Sequence, residues 1–191
     1  MKKLILDTSN KYLFVAVYED SEEIFKHLQE GNNNHSETLV SVLERLLQVH
    51  NIKIDDIKEI YVGRGPGSYT GVRVSCTVAK VLAYLKNIKL FSFSSLDLLL
   101  TTNFKKDIIV VAMNARRGFS YAKVFDNTNE LNILLDEVFI ETEKLNNDFP
   151  NALYIDDSSS NYDLDLLFKY NLFKEEENVH AFTPTYLRSG V

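Results

Sequence analysis

KKLILDTSNKYLFVAVYEDSEEIFKHL, residues 2–28, reads as three strands in a row, and together with the helices after it this stretch decides the fold. Lys2–Leu6 is a short apolar run that ends at the polar turn Asp7-Thr8-Ser9-Asn10. In Tyr12–Tyr18, Leu13, Val15 and Val17 alternate with Phe14, Ala16 and Tyr18. Both sets are apolar, so the strand is covered on both faces. Glu19-Asp20-Ser21 turns the chain into a third strand, Glu22–Leu28, and the opening is an antiparallel meander. The period then changes from two to about 3.6 residues. Past Gly31-Asn32-Asn33, Asn34 and Glu37 have the spacing of a capping box, and Leu39, Val42, Leu43, Leu46, Leu47 and His50 form one helical stripe. A strand at Ile57–Val62, a glycine-rich loop and a helix from Thr70 to Lys86 come next. Ile88–Phe93 is a further strand, and Ser94 with Asp97 opens a third helix that runs to Thr102.

The order βββαβαβα is the α/β, ribonuclease-H-like layout on which actin, sugar kinases and related ATPases (the ASKHA fold) are built. Two lobes are expected: residues 1–103 carry that layout, and residues 104–191 make a smaller, abbreviated α/β lobe. In the second, Asp107–Met113, Gly118–Phe125, Leu131–Ile140 and Asn151–Ile155 read as strands and Leu164–Tyr170 as a short helix. Pro150 and Pro184 mark turns, and Asp156–Asn161 reads as a polar surface loop.

Composition narrows the function. A chain of 191 residues with 45% hydrophobic content buries a substantial core, as one large domain or two small lobes. No apolar stretch reaches the roughly 18–20 residues of a membrane span; Lys86, Asn87 and Lys89 interrupt the longest one, Lys80–Phe93. Asp7 cuts the opening apolar run far short of a signal sequence. Cys76 is alone, so no intramolecular disulfide forms and a reducing cytoplasm is the expected setting; in Val74–Ala79, with no histidine near in sequence, it reads as a packing residue. The net charge is −6, and the basic pairs Lys105-Lys106 and Arg116-Arg117 are too sparse to neutralise a run of phosphates. Any link to RNA is expected to run through a partner.

Four of the seven glycines lie between Gly63 and Gly71, in Gly63-Arg64-Gly65-Pro66-Gly67-Ser68-Tyr69-Thr70-Gly71-Val72-Arg73. The loop feeds a helix N-terminus, whose free N–H groups and positive dipole end suit an anion. It lacks the lysine of a P-loop and the spacing of a dinucleotide fingerprint. The same residues equally make a tight strand-to-helix turn in which glycine serves packing. No two of His27, His35, His50 and His180 stand four apart, so a helical metal-binding histidine pair is absent from the sequence. His35 and Ser36 are adjacent, which gives no base–nucleophile geometry.

Gly65-Pro66-Gly67-Ser68-Tyr69-Thr70-Gly71-Val72-Arg73 resembles the signature loop of the TsaB/YeaZ family. Other pieces match in order: Leu4-Ile5-Leu6-Asp7-Thr8-Ser9, His35-Ser36-Glu37-Thr38-Leu39, Ala79-Lys80-Val81-Leu82-Ala83, Ser94-Ser95-Leu96, Ala115-Arg116-Arg117 and Pro184-Thr185-Tyr186-Leu187-Arg188. Asn114 stands where the family pattern has aspartate, so no metal or acid–base role is carried over to that position. The resemblance implies a subunit with no catalytic residue, metal or cofactor of its own, ATP and metal belonging to its partners. It would pair with a TsaD-like catalytic subunit and, with a TsaE-like ATPase, serve threonylcarbamoyl transfer to the adenosine beside the tRNA anticodon. It would meet tRNA indirectly and self-pair when alone. The family pairs through its first two helices, which here carry Leu39, Val42, Leu43, Leu46 and Leu47, then Val74, Val78 and Leu82. Asp7, Thr8 and Ser9, with Gly65, Gly67 and Ser68, are the expected place for a vestigial anion or nucleotide site. A stand-alone actin-fold ATPase or peptidase is the competing reading. Against an ATPase, the Asp7-Thr8-Ser9 turn has no glycine and the second lobe holds only Gly118 before Gly190.

Overall fold

The computed structural model describes residues 1–31 and 35–187, and of His35 the backbone alone. The capping-box residue Asn34, and Arg188 of the last motif, lie outside the described residues.

The expected meander is β1 (Lys2–Asp7), β2 (Tyr12–Glu19) and β3 (Glu22–Glu30), followed by helix α1 (His35–Val49). Strand β4 (Ile57–Gly63), helix α2 (Tyr69–Lys86), strand β5 (Lys89–Phe93) and helix α3 (Ser95–Leu100) complete the first run, a 3₁₀ turn extending α3 to Asn103. The second run holds β6 (Ile108–Asn114), β7 (Phe119–Asp126), β8 (Asn132–Glu141), α4 (Thr142–Asp148), β9 (Leu153–Asp156), α5 (Leu164–Lys169) and β10 (Lys174–Glu175). Two sheets result, ordered β10-β5-β4-β1-β2-β3 and β8-β7-β6-β9. Strand β1 pairs antiparallel with β2 and parallel with β4, which places the Asp7–Asn10 turn beside the glycine loop.

Alternation along the strands sorts the side chains into layers. Leu4, Leu6, Leu13, Val15 and Val17 face α1 and α2. Ile5, Phe14, Ala16 and Tyr18, from the other side of the sheet, pack with Leu96, Leu98, Leu99 and Leu100 of α3, with Leu164 and Leu167 of α5, and with Ile109, Val111 and Met113 of β6. The middle core thus joins the two sheets. Val110, Ala122 and Val124 look outward to Leu145 of α4. No described helix is long and apolar enough to cross a membrane.

Two expectations need correction. The stripe on α1 belongs to the lobe's own interior: Leu39, Val42, Leu43 and Leu47 are 0–8% exposed and pack on the first sheet, while Leu46 is partly buried at the edge. Periodicity finds the face that is covered, not what covers it. His50 lies outside that core, its ring stacked on Phe25 at 4.5 Å. The stretch after residue 173, assigned by sequence to the second lobe, returns to the first. β10 pairs with the free edge of β5, Phe182 enters the core under α2, and Lys80 of α2 donates to the carbonyls of His180 and Phe182.

Candidate functional site

The glycine loop is fitted to the β1 turn backbone against backbone. A Cβ on Gly71 would lie 1.9 Å from the Thr8 carbonyl oxygen, one on Gly67 2.3 Å from that of Ser9, and one on Gly63 1.7 Å from Asp7 Oδ2. Hydrogen bonds close the same seam. Ser68 N donates to the Ser9 carbonyl at 2.6 Å, and Thr8 Oγ1 donates to the Gly71 carbonyl at 2.7 Å. Ser95 Oγ donates to Asp7 Oδ2 at 2.6 Å and accepts from Gly65 N at 3.2 Å. Ser68 is the N-cap of α2, its hydroxyl accepting from Gly71 N.

This arrangement divides the six residues expected at an anion site. Asp7, Thr8 and Gly65 are sealed inside the seam, where their polar groups hold the chain to itself. Ser9, Gly67 and Ser68 border a cleft of about 620 Å³ between the lobes. Across it stand Met113, Asn114, Ala115 and Arg116 at the end of β6, with Tyr121 and Asp157. Sequence reading missed Tyr121 and Asp157, because the fold alone brings them there; Asp157 sat in what read as a surface loop. Burial, with Asp156 adjacent, raises the Asp157 carboxyl above its ordinary range. Among the described residues no three His, Cys, Asp or Glu side chains gather as a metal site would require.

Cys76, in the buried face of α2, is held against the Gly63 carbonyl at 3.6 Å. Burial, with Asp7 nearby, pushes its thiol up to about 12, so almost no thiolate exists at neutral pH. Native protein should stay unlabelled by iodoacetamide over a period in which urea-unfolded protein labels fully, as read by intact mass. Rapid native labelling would mean the residue is reachable and ionised.

A second surface lies on the outer side of α2. Its inner face is Val72, Ser75, Cys76, Ala79 and Ala83; its outer face carries Val74, Val78, Val81 and Leu85 at helical spacing. Val81 and Leu85 are 47% and 69% exposed, and Val74, Val78 and Leu82 sit half-buried at the rim of the core. A groove beside Ser36 of α1 is lined by Tyr69, Thr70, Arg73, Val74, Thr77 and Val78. Arg73 donates to Tyr69 Oη at 2.6 Å, and Tyr186 lies against the Tyr69 ring at 5.4 Å. One turn along α1 from Ser36, Val40 is also exposed. Of the expected docking residues, Val74, Val78 and Leu82 border this face and Leu39, Val42, Leu43 and Leu47 lie beneath it. Val40 and Tyr69 were not among those expected, whereas the apolar residues at 74, 78, 81 and 85 repeat in the sequence at helical spacing.

Residues 29–184 match the family described as TsaD, tRNA N6-adenosine threonylcarbamoyltransferase. The tRNA threonylcarbamoyladenosine biosynthesis protein TsaB of Bacillus subtilis is 34% identical over 69% of this chain and 58% of that protein, so the chain spans less than two thirds of that relative. Mycoplasma genitalium MG208 is 27% identical over 99% of this chain and 96% of its own length. Among solved structures, YeaZ from Pseudomonas aeruginosa superposes with a TM-score of 0.77 at 20% identity, covering 97% of this chain and 99% of that one. That likeness fixes the two-lobed actin-like fold.

Proposed function

Because the chain belongs to the TsaD family, on its TsaB/YeaZ branch, we propose that it is a non-catalytic subunit of tRNA threonylcarbamoyladenosine biosynthesis that docks a TsaD-like catalytic subunit. The observation that carries the reading is the second apolar face of α2. A helix that has already buried Val72, Cys76, Ala79 and Ala83 against its own sheet still offers Val74, Val78, Val81 and Leu85 on the other side. Small residues on the inner face let α2 sit close to the sheet, and the outer row suits a helix pair from another subunit. Self-pairing through the same face would give a homodimer in the absence of the partner. A TsaE-like ATPase completes the assembly, in the cytoplasm, and tRNA is met through the catalytic subunit.

The way the seam spends its polar groups within the chain supports the same reading. Asp7 accepts from Ser95 Oγ and from Ser9 N; the space beside Gly67 and Gly71 is filled by this chain's own carbonyls and that beside Gly63 by the Asp7 carboxylate. The net charge of −6 supports an indirect route to RNA.

Val81→Glu with Leu85→Glu tests the docking face, since both side chains are exposed and the fold should survive. The double variant should keep the wild-type circular dichroism and melting temperature while losing at least about tenfold in affinity for a TsaD-like subunit, because its charges would be buried unpaired in the complex. Undiminished binding would place the interface elsewhere. Modification of tRNA by purified TsaD-like and TsaE-like proteins, supplied with threonylcarbamoyl adenylate, should require this chain. Turnover of ATP or a peptide by the chain alone would overturn the reading.

A further inference from the structure

Resting on that reading for its partner, we propose that the second lobe braces the loop that launches α2, with Glu137 and Arg64 as the positioning pair. The pairing of β7 with β8 shifts register twice, and the shift between Ala122 and Val124 is the one that faces the first lobe. Ala122 faces Val138 and Val124 faces Leu135, so a two-residue step on β7 spans three on β8, and Asp136 and Glu137 together oppose Lys123. This is a β-bulge, and a bulge re-aims side chains. Leu135 and Val138 both stay on the outer core of the second sheet. Asp136 goes to solvent, 81% exposed, and Glu137 is taken out of it, 9% exposed, with its carboxylate 3.9 Å from Arg64 of the first lobe.

Arg64 stands between Gly63 and Gly65, at the start of the loop. Its N–H donates to the Phe93 carbonyl at 3.0 Å, and its carbonyl accepts from Thr185 N at 2.8 Å. The next carbonyl, of Gly65, accepts from Ser95 N at 2.9 Å. Two residues beyond Ser95 on α3, Asp97 receives Lys123 of β7 at 2.7 Å. The second lobe therefore grips the first through Arg64 of the glycine loop itself and through the helix to which Gly65 is bonded.

A loop with glycine at 63, 65 and 67 has wide conformational freedom when unrestrained. A buried carboxylate facing a guanidinium that is two-thirds covered constrains it more than a fully exposed pair does. Held in one conformation, the loop presents the outer face of α2 in one orientation, and docking then loses less free energy to ordering. The pair acts through α2 and lies outside the docking face.

The test is hydrogen–deuterium exchange together with partner titration, on Glu137→Gln and Arg64→Gln in the full chain. Each variant should speed amide exchange across residues 64–72, leave strands β1 and β2 protected as in wild type, and weaken binding of the TsaD-like subunit about fivefold or more. The reversed pair, Arg64→Glu with Glu137→Arg, should restore both readouts. Unchanged exchange in residues 64–72 in either folded variant overturns the brace. Faster exchange with undiminished affinity overturns its link to docking. Should wild-type protein not bind the partner at all, the proposed function fails and exchange alone decides the brace. Arg64 is a third exposed, so Arg64→Gln keeps the test decisive if Glu137→Gln does not fold.

Discussion

Gly71→Ala should fail to reach the native state at 37 °C, although it places the best helix-forming residue inside a helix. The new methyl would lie 1.9 Å from the carbonyl oxygen of Thr8, and that oxygen is backbone between the buried residues Asp7 and Ser9. No rotamer relieves such an overlap. The N-terminus of α2 must lift away from β1, breaking the bond from Thr8 Oγ1 to the Gly71 carbonyl and opening the Ser68–Ser9 seam. A loss above about 4 kcal/mol is expected, a large share of the roughly 5–15 kcal/mol that holds a domain together. Gly118→Ala is the matched control. Gly118 has φ +80° in open space, so its added methyl meets no atom within 4 Å and the substitution costs about 1 kcal/mol from backbone strain alone. Urea titration of both variants checks the pair. Similar midpoints would mean that α2 does not rest on the β1 turn.

Lys123→Met should be the next most damaging change, and adding Asp97→Leu should repair it. The ammonium of Lys123 and the carboxylate of Asp97 meet at 2.7 Å with side chains 7% and 9% exposed, between the sheets. Removing the cation alone leaves a buried carboxylate without its counter-ion and with Glu137 and Asp136 nearby, at a cost of about 3–5 kcal/mol. Removing both replaces an ion pair by an apolar contact, and such replacements are neutral or stabilising. Even with Lys123 in place, burial outweighs the ion pair and lifts the Asp97 carboxyl to about 6 from 3.8. That shift fixes the sign of the pH dependence. A carboxyl raised in the folded state favours folding when protonated, so its contribution is complete below pH 3.8 and is lost as pH rises through about 6. The double variant should therefore gain on wild type between those limits and hold a constant advantage above them. A wild-type-to-double difference that stays flat from pH 4 to pH 7 would show that Asp97 titrates normally.

The sequence made the first sheet and its helices readable because each signal there is local. Both faces of Tyr12–Tyr18 are apolar, Ser68 and Ser94 cap the helices that follow them, and Asn87 ends α2 in the left-handed conformation. Helix α4 escaped notice since Thr142–Asp148 buries only Leu145, too little to set a period. Strand β10 is two residues long and has no alternation to find. At the site, the Asp7-Thr8-Ser9 turn and the glycine loop were legible as separate motifs. Their mutual purpose was not, because close approach of two backbones leaves its mark only as glycine, which an anion site requires as well. The buried charges were invisible for another reason. Lys123 and Asp97 are 26 residues apart, and nothing local marks either as a buried charge until the packing of α3 on the second sheet brings them together.

The return of the last stretch to the first sheet has a consequence for how the molecule is made. Topologically the second lobe is an insertion, entered after Asn103 and left before Lys174, within a lobe whose edge strand and whose Phe182 come from the far side of it. On the ribosome the N-terminal lobe can collapse early but cannot close until about eighty further residues have emerged, with synthesis running at about 5–20 residues per second. For some seconds the edge of β5 and the underside of α2 are bare. A nascent chain stalled near residue 150 would carry that open edge as its most adhesive part.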